Sequence, residues 1–151
     1  MSEHKVTLNW ERTGEDFSYA AYDRGHTWTS EGGVTVPASA APAFKGAANR
    51  LNPEEALVGA LSSCHMLTFL ALCSRAGLVV DRYQDDAVGF MERAADKKLW
   101  VARVVLRPRI SFSPGRGPAT PQALEDLHHN AHEECFIARS VKTVVTVEPA
   151  V

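Results

Sequence analysis

The feature that most constrains the fold is the apolar run from Asn52 to Gly77, NPEEALVGALSSCHMLTFLALCSRAG. It begins as helices begin. Asn52 suits the N-cap, Pro53 the first helical position, and Glu55 stands three residues after the cap, as in a capping box. Gly77 can close the helix in the left-handed region. Leu57, Val58, Leu61, Met66, Leu67, Phe69, Leu70 and Leu72 leave almost no polar face, so the helix is expected to be buried on several sides. Its polar ends, and the interruptions at Ser62, Ser63, Cys64, His65 and Thr68, argue against a membrane span. The rest of the chain must therefore wrap one long helix and accommodate a polar Ser-Ser-Cys-His step at its middle.

On either side the hydrophobic period changes from helical to two. His4 to Trp10 and Asp16 to Tyr22 alternate, and the link Arg12-Thr13-Gly14-Glu15 predicts a hairpin between them. A third strand is expected near Thr27 to Ser30, broken by Gly32-Gly33 and resumed at Val34 to Val36. Pro37 to Leu51 reads as an irregular loop, of a length that is often functional. After the helix, Tyr83 to Arg93 predicts a strand. Leu99 to Ser113 alternates most cleanly, with Pro108 marking an edge or a bend. Thr120 and Pro121 open a second helix with Leu124, Leu127, Ala131 and Cys135 on one face. Ser140 to Glu148 predicts a last strand. The order implies an α+β fold, with antiparallel sheet wrapping a buried central helix.

At 151 residues, the chain is expected to form a single domain, 1–151. A net charge of -2 and the lack of any basic run point away from nucleic acid. The opening MSEHKVTLNW has no apolar signal core, so a cytoplasmic protein is expected. There are three cysteines, an odd number, and in a reducing compartment that favours catalysis, metal binding or burial over a disulfide scaffold.

Cys73 lies nine residues after Cys64, about half a turn out of phase, among Ala71, Leu72 and Ala76, and reads as a small core hydrophobe. Cys64 and Cys135 have polar company. Only the thiolate is nucleophilic. Cys64 sits too deep in its helix for the dipole to ionise it and needs an outside cation. Cys135 sits at a helix C-terminal end, where the dipole opposes a negative sulfur, and so is not the primary nucleophile. Among loop cations, Arg24 is best placed to reach inward from its turn, and Arg12 is the alternative.

NPEE before a long apolar helix centred on SSCHMLTFL, followed later by AHEECFIARS, resembles the OsmC/Ohr family of osmotically inducible and organic hydroperoxide resistance proteins. The resemblance covers most of the chain. It implies an α+β fold built as an intertwined homodimer, with a peroxidatic Cys at Cys64, a resolving Cys at Cys135, and an Arg–Glu pair at Arg24 (or Arg12) and Glu54. No cofactor or membrane is implied. The partners implied are a second copy of the chain, a hydroperoxide and an external dithiol. Two departures stand out. The Ohr branch usually has Pro-Tyr-Ser after the second Cys, where this chain has Phe136-Ile137-Ala138. His65 and the pair His128-His129 before His132 are not general to the family. Both point to a separate OsmC-like branch.

Glu54 and Cys64 are ten residues apart, about 15 Å along a helix, so a Glu54 acting at a thiol would act on the partner's. The first-turn dipole alone would also explain an acid at that position. On this reading the Cys64 thiolate attacks a hydroperoxide and Cys135 resolves the sulfenic acid as a disulfide. Leu61, Met66, Phe69 and Phe136 would line an apolar substrate pocket, or else serve as plain core. Two rival readings stand: a metal site drawn from Cys64, His65, His128, His132 and Cys135, with His129 a solvated neighbour, and a small-ligand-binding or structural dimer.

Overall fold

In the computed structural model, which describes residues 2–149, the chain divides into two units, Met1–Ala56 and Leu57–Val151.

The first unit carries three short antiparallel strands in the order β1-β2-β3: β1 is Val6–Asn9, β2 is His26–Ser30 and β3 is Thr35–Ala38. Gly33 turns β2 into β3 with φ +83°, a conformation that favours glycine. The predicted hairpin between residues 4–10 and 16–22 does not form. β1 pairs with β2 instead, from Val6 opposite Ser30 to Asn9 opposite Thr27. Local bonds draw residues 16–22 into turns. Asp16 Oδ1 accepts from the Ser18 N–H at 2.8 Å, and the Ser18 carbonyl accepts from the Ala21 and Tyr22 N–H groups, both at 3.1 Å. The aromatics of that stretch cluster with Trp10 rather than lining a sheet. The loop expected from Pro37 starts later, because Pro37 and Ala38 complete β3. It makes one 3-10 turn at Pro42–Phe44 and returns to pair Leu51 with Ala38.

The long helix, α1, runs Pro53–Arg75. Its capping box is formed: the Glu55 N–H donates to Asn52 Oδ1 at 2.8 Å, and the Asn52 N–H donates to Glu55 Oε2 at 3.2 Å. Its end is a Schellman motif. Gly77 has φ +72° and donates to the Ser74 carbonyl, while the Leu78 N–H reaches the Cys73 carbonyl at 2.9 Å. Burial on several sides is not observed. Only the stripe Leu61, His65, Phe69, Cys73 is buried, whereas Ala60, Ser63, Ala71 and Ser74 are exposed and Leu67 is 61% exposed.

The second unit adds β4 (Val80–Asp85), β5 (Val88–Arg93), β6 (Leu99–Leu106), β7 (Pro108–Phe112), α2 (Pro121–Glu133) and β8 (Val144–Val147). The single strand expected over residues 83–93 is two strands in different sheets: β4 pairs with β7, and β5 with β6. Asp85 marks the break. Its Oδ1 accepts from the Arg107 N–H at 2.6 Å and its Oδ2 from the Ser62 hydroxyl at 2.5 Å, which ties the β4–β5 break, the β6–β7 break at Pro108 and α1 together. β8 is shorter than expected and lies parallel to β6, from Arg103 beside Val144 to Leu106 beside Val147, so this sheet is not wholly antiparallel. A crossover through β7 and α2 permits that direction.

α1 serves two hydrophobic clusters. Leu61 packs with Val104 and Leu106 of β6, backed by Val145 and Val147. Phe69 and Cys73 pack with Ala131 of α2, backed by Tyr83, Ile110, Phe112, Leu124 and Leu127. Each fully buried Leu or Phe contributes about 1.5–3 kcal/mol. α1 also has the length and composition of a bilayer span, but its buried stripe is occupied within the second unit.

Candidate active site

The second unit brings Cys64 and Cys135 together. α1 carries Cys64 half-buried in its middle. Cys135 follows the α2 C-cap, 1% exposed, where its Sγ accepts the Ala138 N–H at 3.5 Å. Both thiols are free, and Cys64 is close enough to Cys135 to perturb its ionisation. Burial pushes the Cys135 thiol up, and the neighbouring Cys64 pushes it further, against the opposing backbone N–H groups. Cys135 is therefore harder to ionise than an ordinary thiol. Burial also raises the thiol of Cys73, which faces the Phe69 cluster.

In the first unit, Arg24 is 9% exposed. Its Nη1 donates to the Tyr22 carbonyl at 2.7 Å and its Nη2 to the Tyr19 carbonyl at 2.6 Å. The guanidinium lies 3.9 Å from the Tyr22 ring centroid and 5.0 Å from that of Tyr19. His26 fixes the Arg24 backbone. Trp28 Nε1 can only donate, so His26 Nε2 accepts from it at 2.9 Å, and His26 Nδ1–H is left to donate to the Arg24 carbonyl, also at 2.9 Å. Arg24, Trp10, Phe17, Tyr22, His26, Ser39, Ala40 and Pro53 line a cavity of about 390 Å³. Among the described residues Arg24 makes no ion pair. Arg12, the alternative, is exposed and donates to the Glu15 carbonyl at 3.0 Å. Glu54, in the first turn of α1, has a buried Oε2 with no hydrogen-bond partner among the described residues.

The other candidates fall apart. Leu61 and Phe69 are 0% exposed, in the two separate core clusters, so they pack rather than line an open pocket. Met66 is half-buried, and Phe136 is 79% exposed. His65 turns away from the thiol beside it in sequence, because its ring lies on the buried stripe of α1. There its Nε2 lies 3.1 Å from Nδ1 of His128. Burial lowers both imidazoles to about 4; His65 is lowered further by His128 and His132, while Asp85 partly offsets the effect at His128. Among the described residues no group of three His, Cys, Asp or Glu side chains is arranged to hold a metal, so the Cys64/His65/His128/His132/Cys135 set does not assemble.

Sequence reading missed two features. The rings of Trp10, Phe17 and Tyr22, with centroids 5.2–6.5 Å apart beside Arg24, looked like alternating strand faces. The His65–His128 pair joins residues sixty-three apart, and no local pattern announces it.

The family model described as OsmC-like protein matches residues 46–150. An OsmC-like protein of unknown function from Vibrio cholerae O1 biovar eltor has a solved structure that is 44% identical, with a TM-score of 0.93, over 99% of this chain and 100% of that one. The organic hydroperoxide resistance protein OhrB of Bacillus subtilis shares the fold at 15% identity and a TM-score of 0.71, over 99% of this chain and 98% of its own. The uncharacterized protein YmaD of Bacillus subtilis (strain 168) is 22% identical over 148 residues, 98% of this chain and 93% of its own.

Proposed function

Because the chain belongs to the OsmC-like protein family, some of whose members are named organic hydroperoxide resistance proteins, we propose that it is a thiol peroxidase acting on organic hydroperoxides. The observation that carries this reading is the proximity of a half-buried Cys64 to a buried Cys135 whose thiol is raised by burial and by Cys64. The Cys64 thiolate attacks the outer oxygen of a hydroperoxide, the O–O bond breaks, and the alkoxide leaves and takes up a proton as an alcohol. Cys64 is then a sulfenic acid. Cys135 attacks that sulfur, the S–O bond breaks, water leaves, and a Cys64–Cys135 disulfide remains. An external dithiol reduces the disulfide to two thiols and is itself oxidised.

Arg24 stabilises the thiolate and Glu54 holds Arg24, in a site completed between two copies of the chain. Three observations support the shared site. Among the described residues Arg24 is a shielded cation without an ion pair and Glu54 has a buried oxygen without a partner, and α1 leaves Leu67 and its neighbouring small residues uncovered. Half-satisfied charges and exposed apolar faces are stabilised by a partner surface. The protein works without a cofactor, as a homodimer, away from membranes and nucleic acid, in the cytoplasm. Consumption of cumene hydroperoxide with a dithiol reductant tests the reading. Cys64→Ser should abolish turnover, and Cys135→Ser should turn over once and then over-oxidise. Full activity of Cys64→Ser overturns the proposal.

A further inference from the structure

α1 and α2 each bring one half of the thiol pair. Cys64 stands in the middle of α1, and Cys135 follows the C-cap of α2. The two are distant in sequence, so their separation is set by how α2 docks on α1. A disulfide tolerates little error there, since its Cα atoms must lie about 4.4–6.8 Å apart. Most of the docking is apolar. Ala131 of α2 packs with Phe69 and Cys73 of α1, backed by Leu124 and Leu127. Such burial is non-directional. One contact is directional. His65 Nε2 lies 3.1 Å from His128 Nδ1, the one side-chain hydrogen bond from α1 to α2 among the described residues. The two rings are 6° from parallel, and the His128 ring also stacks on Phe69, one turn along α1 from His65, at 4.5 Å between centroids.

As core filling the pair is unfavourable. His65 is 1% exposed and His128 4%, and the outer nitrogen of each ring is buried without a partner among the described residues. Two apolar side chains of similar volume would pack there without that cost. What they could not supply is a bond of restricted length and direction. Fixing one register is the best-attested use of a buried polar contact. We propose that the His65–His128 hydrogen bond sets the register of α2 on α1, and so holds Cys135 where it can close a disulfide on Cys64. His65 adjoins Cys64 on α1, and His128 lies about two helical turns before Cys135. Both histidines are positioning residues, acting through the helices that carry them and not on sulfur. The inference rests on the resolving role proposed above for Cys135.

The test is the redox equilibrium of the full chain with glutathione, which needs no peroxide. Oxidised glutathione takes two electrons from the Cys64 and Cys135 thiols, leaving the protein disulfide and two molecules of reduced glutathione. Acid quenching, alkylation and peptide mass mapping give the ratio. A contact that only stabilises the fold weakens reduced and oxidised chains alike and leaves this equilibrium unmoved. A contact that sets the separation of the sulfurs enters it directly. His65→Leu/His128→Leu keeps the space filled and removes the bond. His65→Asn removes it with an amide that stops short of His128. Each should disfavour the disulfide about tenfold, raising its potential by about 30 mV. His65→Gln places an amide atom close to the position of Nε2 and should hold the potential of the unsubstituted chain. An unmoved potential in both bond-breaking variants, or a shift in His65→Gln as large as theirs, overturns the positioning role alone. Failure of the unsubstituted chain to form any Cys64–Cys135 disulfide overturns the resolving role of Cys135 and this inference with it.

Discussion

His65 Nε2 lies 3.1 Å from His128 Nδ1, in rings 6° from parallel, and the outer nitrogen of each ring is buried without a partner among the described residues. One proton serves the bond between them, and a second has no acceptor there. Both imidazoles accordingly titrate near 4, well below the 6.5 of an unfolded histidine, chiefly because burial disfavours the charged form. Between those values the unfolded chain binds protons that the folded chain does not. The stabilisation is complete above about pH 6.5 and is lost as the pH falls toward 4, with each shift worth roughly a few kcal/mol. His132 adds to the repulsion at His65, and Asp85 moderates it at His128. Urea melts across this range should show the midpoint falling with pH. A His65→Leu/His128→Leu chain should show a flatter profile; an equally steep one would remove the pair as the cause.

The three cysteines should differ in reactivity. Cys64 is half-buried, while Cys73 and Cys135 are each 1% exposed with thiols raised by burial. Alkylation needs both access and thiolate. Iodoacetamide at neutral pH, followed by peptide mapping, should therefore label Cys64 well ahead of the other two in the native protein, and all three alike in denaturant. Labelling of Cys135 first would reverse the assignment of peroxidatic and resolving thiol.

What could be read from the chain alone follows the range of the forces involved. Both helices were legible because their signals are local: Asn52 and Glu55 cap α1, Gly77 ends it, and Thr120 accepts from the Ala123 N–H at 3.1 Å to cap α2. Pro108 marked a real break for the same reason. Strand partners were not legible. Alternation at 16–22 looked like a sheet face, yet Asp16 and Ser18 satisfy the backbone in turns, and β1 finds β2 across the gap. The parallel placement of β8 and the switch of sheets at Asp85 depend on contacts distant in sequence. Within the site, Cys64 and Cys135 stood out by their polar neighbours. The partner of His65 did not, because helical phase turns that side chain away from the thiol next to it.

The α1 capping box gives a quantitative check. Asn52 is 7% exposed, and its side chain takes the Glu55 N–H while Glu55 takes its own. Asn52→Ala leaves the Glu55 N–H without its side-chain acceptor and should lower stability by about 1 kcal/mol. Asn52→Asp keeps an acceptor at the cap and should retain most of it. Chemical denaturation of both variants measures the difference, and equal losses would mean the amide group itself matters more than the cap.

Two glycines predict opposite signs for the same substitution. A Cβ on Gly46 would stand 1.5 Å from the Ala40 carbonyl oxygen and 2.2 Å from its carbon. Those are backbone atoms and cannot step aside. The segment is also anchored at both ends: Gly46 N–H to the Ala41 carbonyl at 3.1 Å, Ala47 N–H to Ser39 Oγ at 3.1 Å, and Ser39 N–H to the Leu51 carbonyl at 2.9 Å. Gly46→Ala must therefore displace the loop and break some of these bonds, costing at least about 1–3 kcal/mol. Gly59 lies within α1 with nothing within 4 Å of its would-be Cβ. Gly59→Ala removes unfolded-state entropy at no steric cost and should stabilise by about 0.5–1 kcal/mol. Thermal melts of the two variants side by side decide the matter, and a neutral Gly46→Ala would mean that this loop is not held against Ala40 in solution.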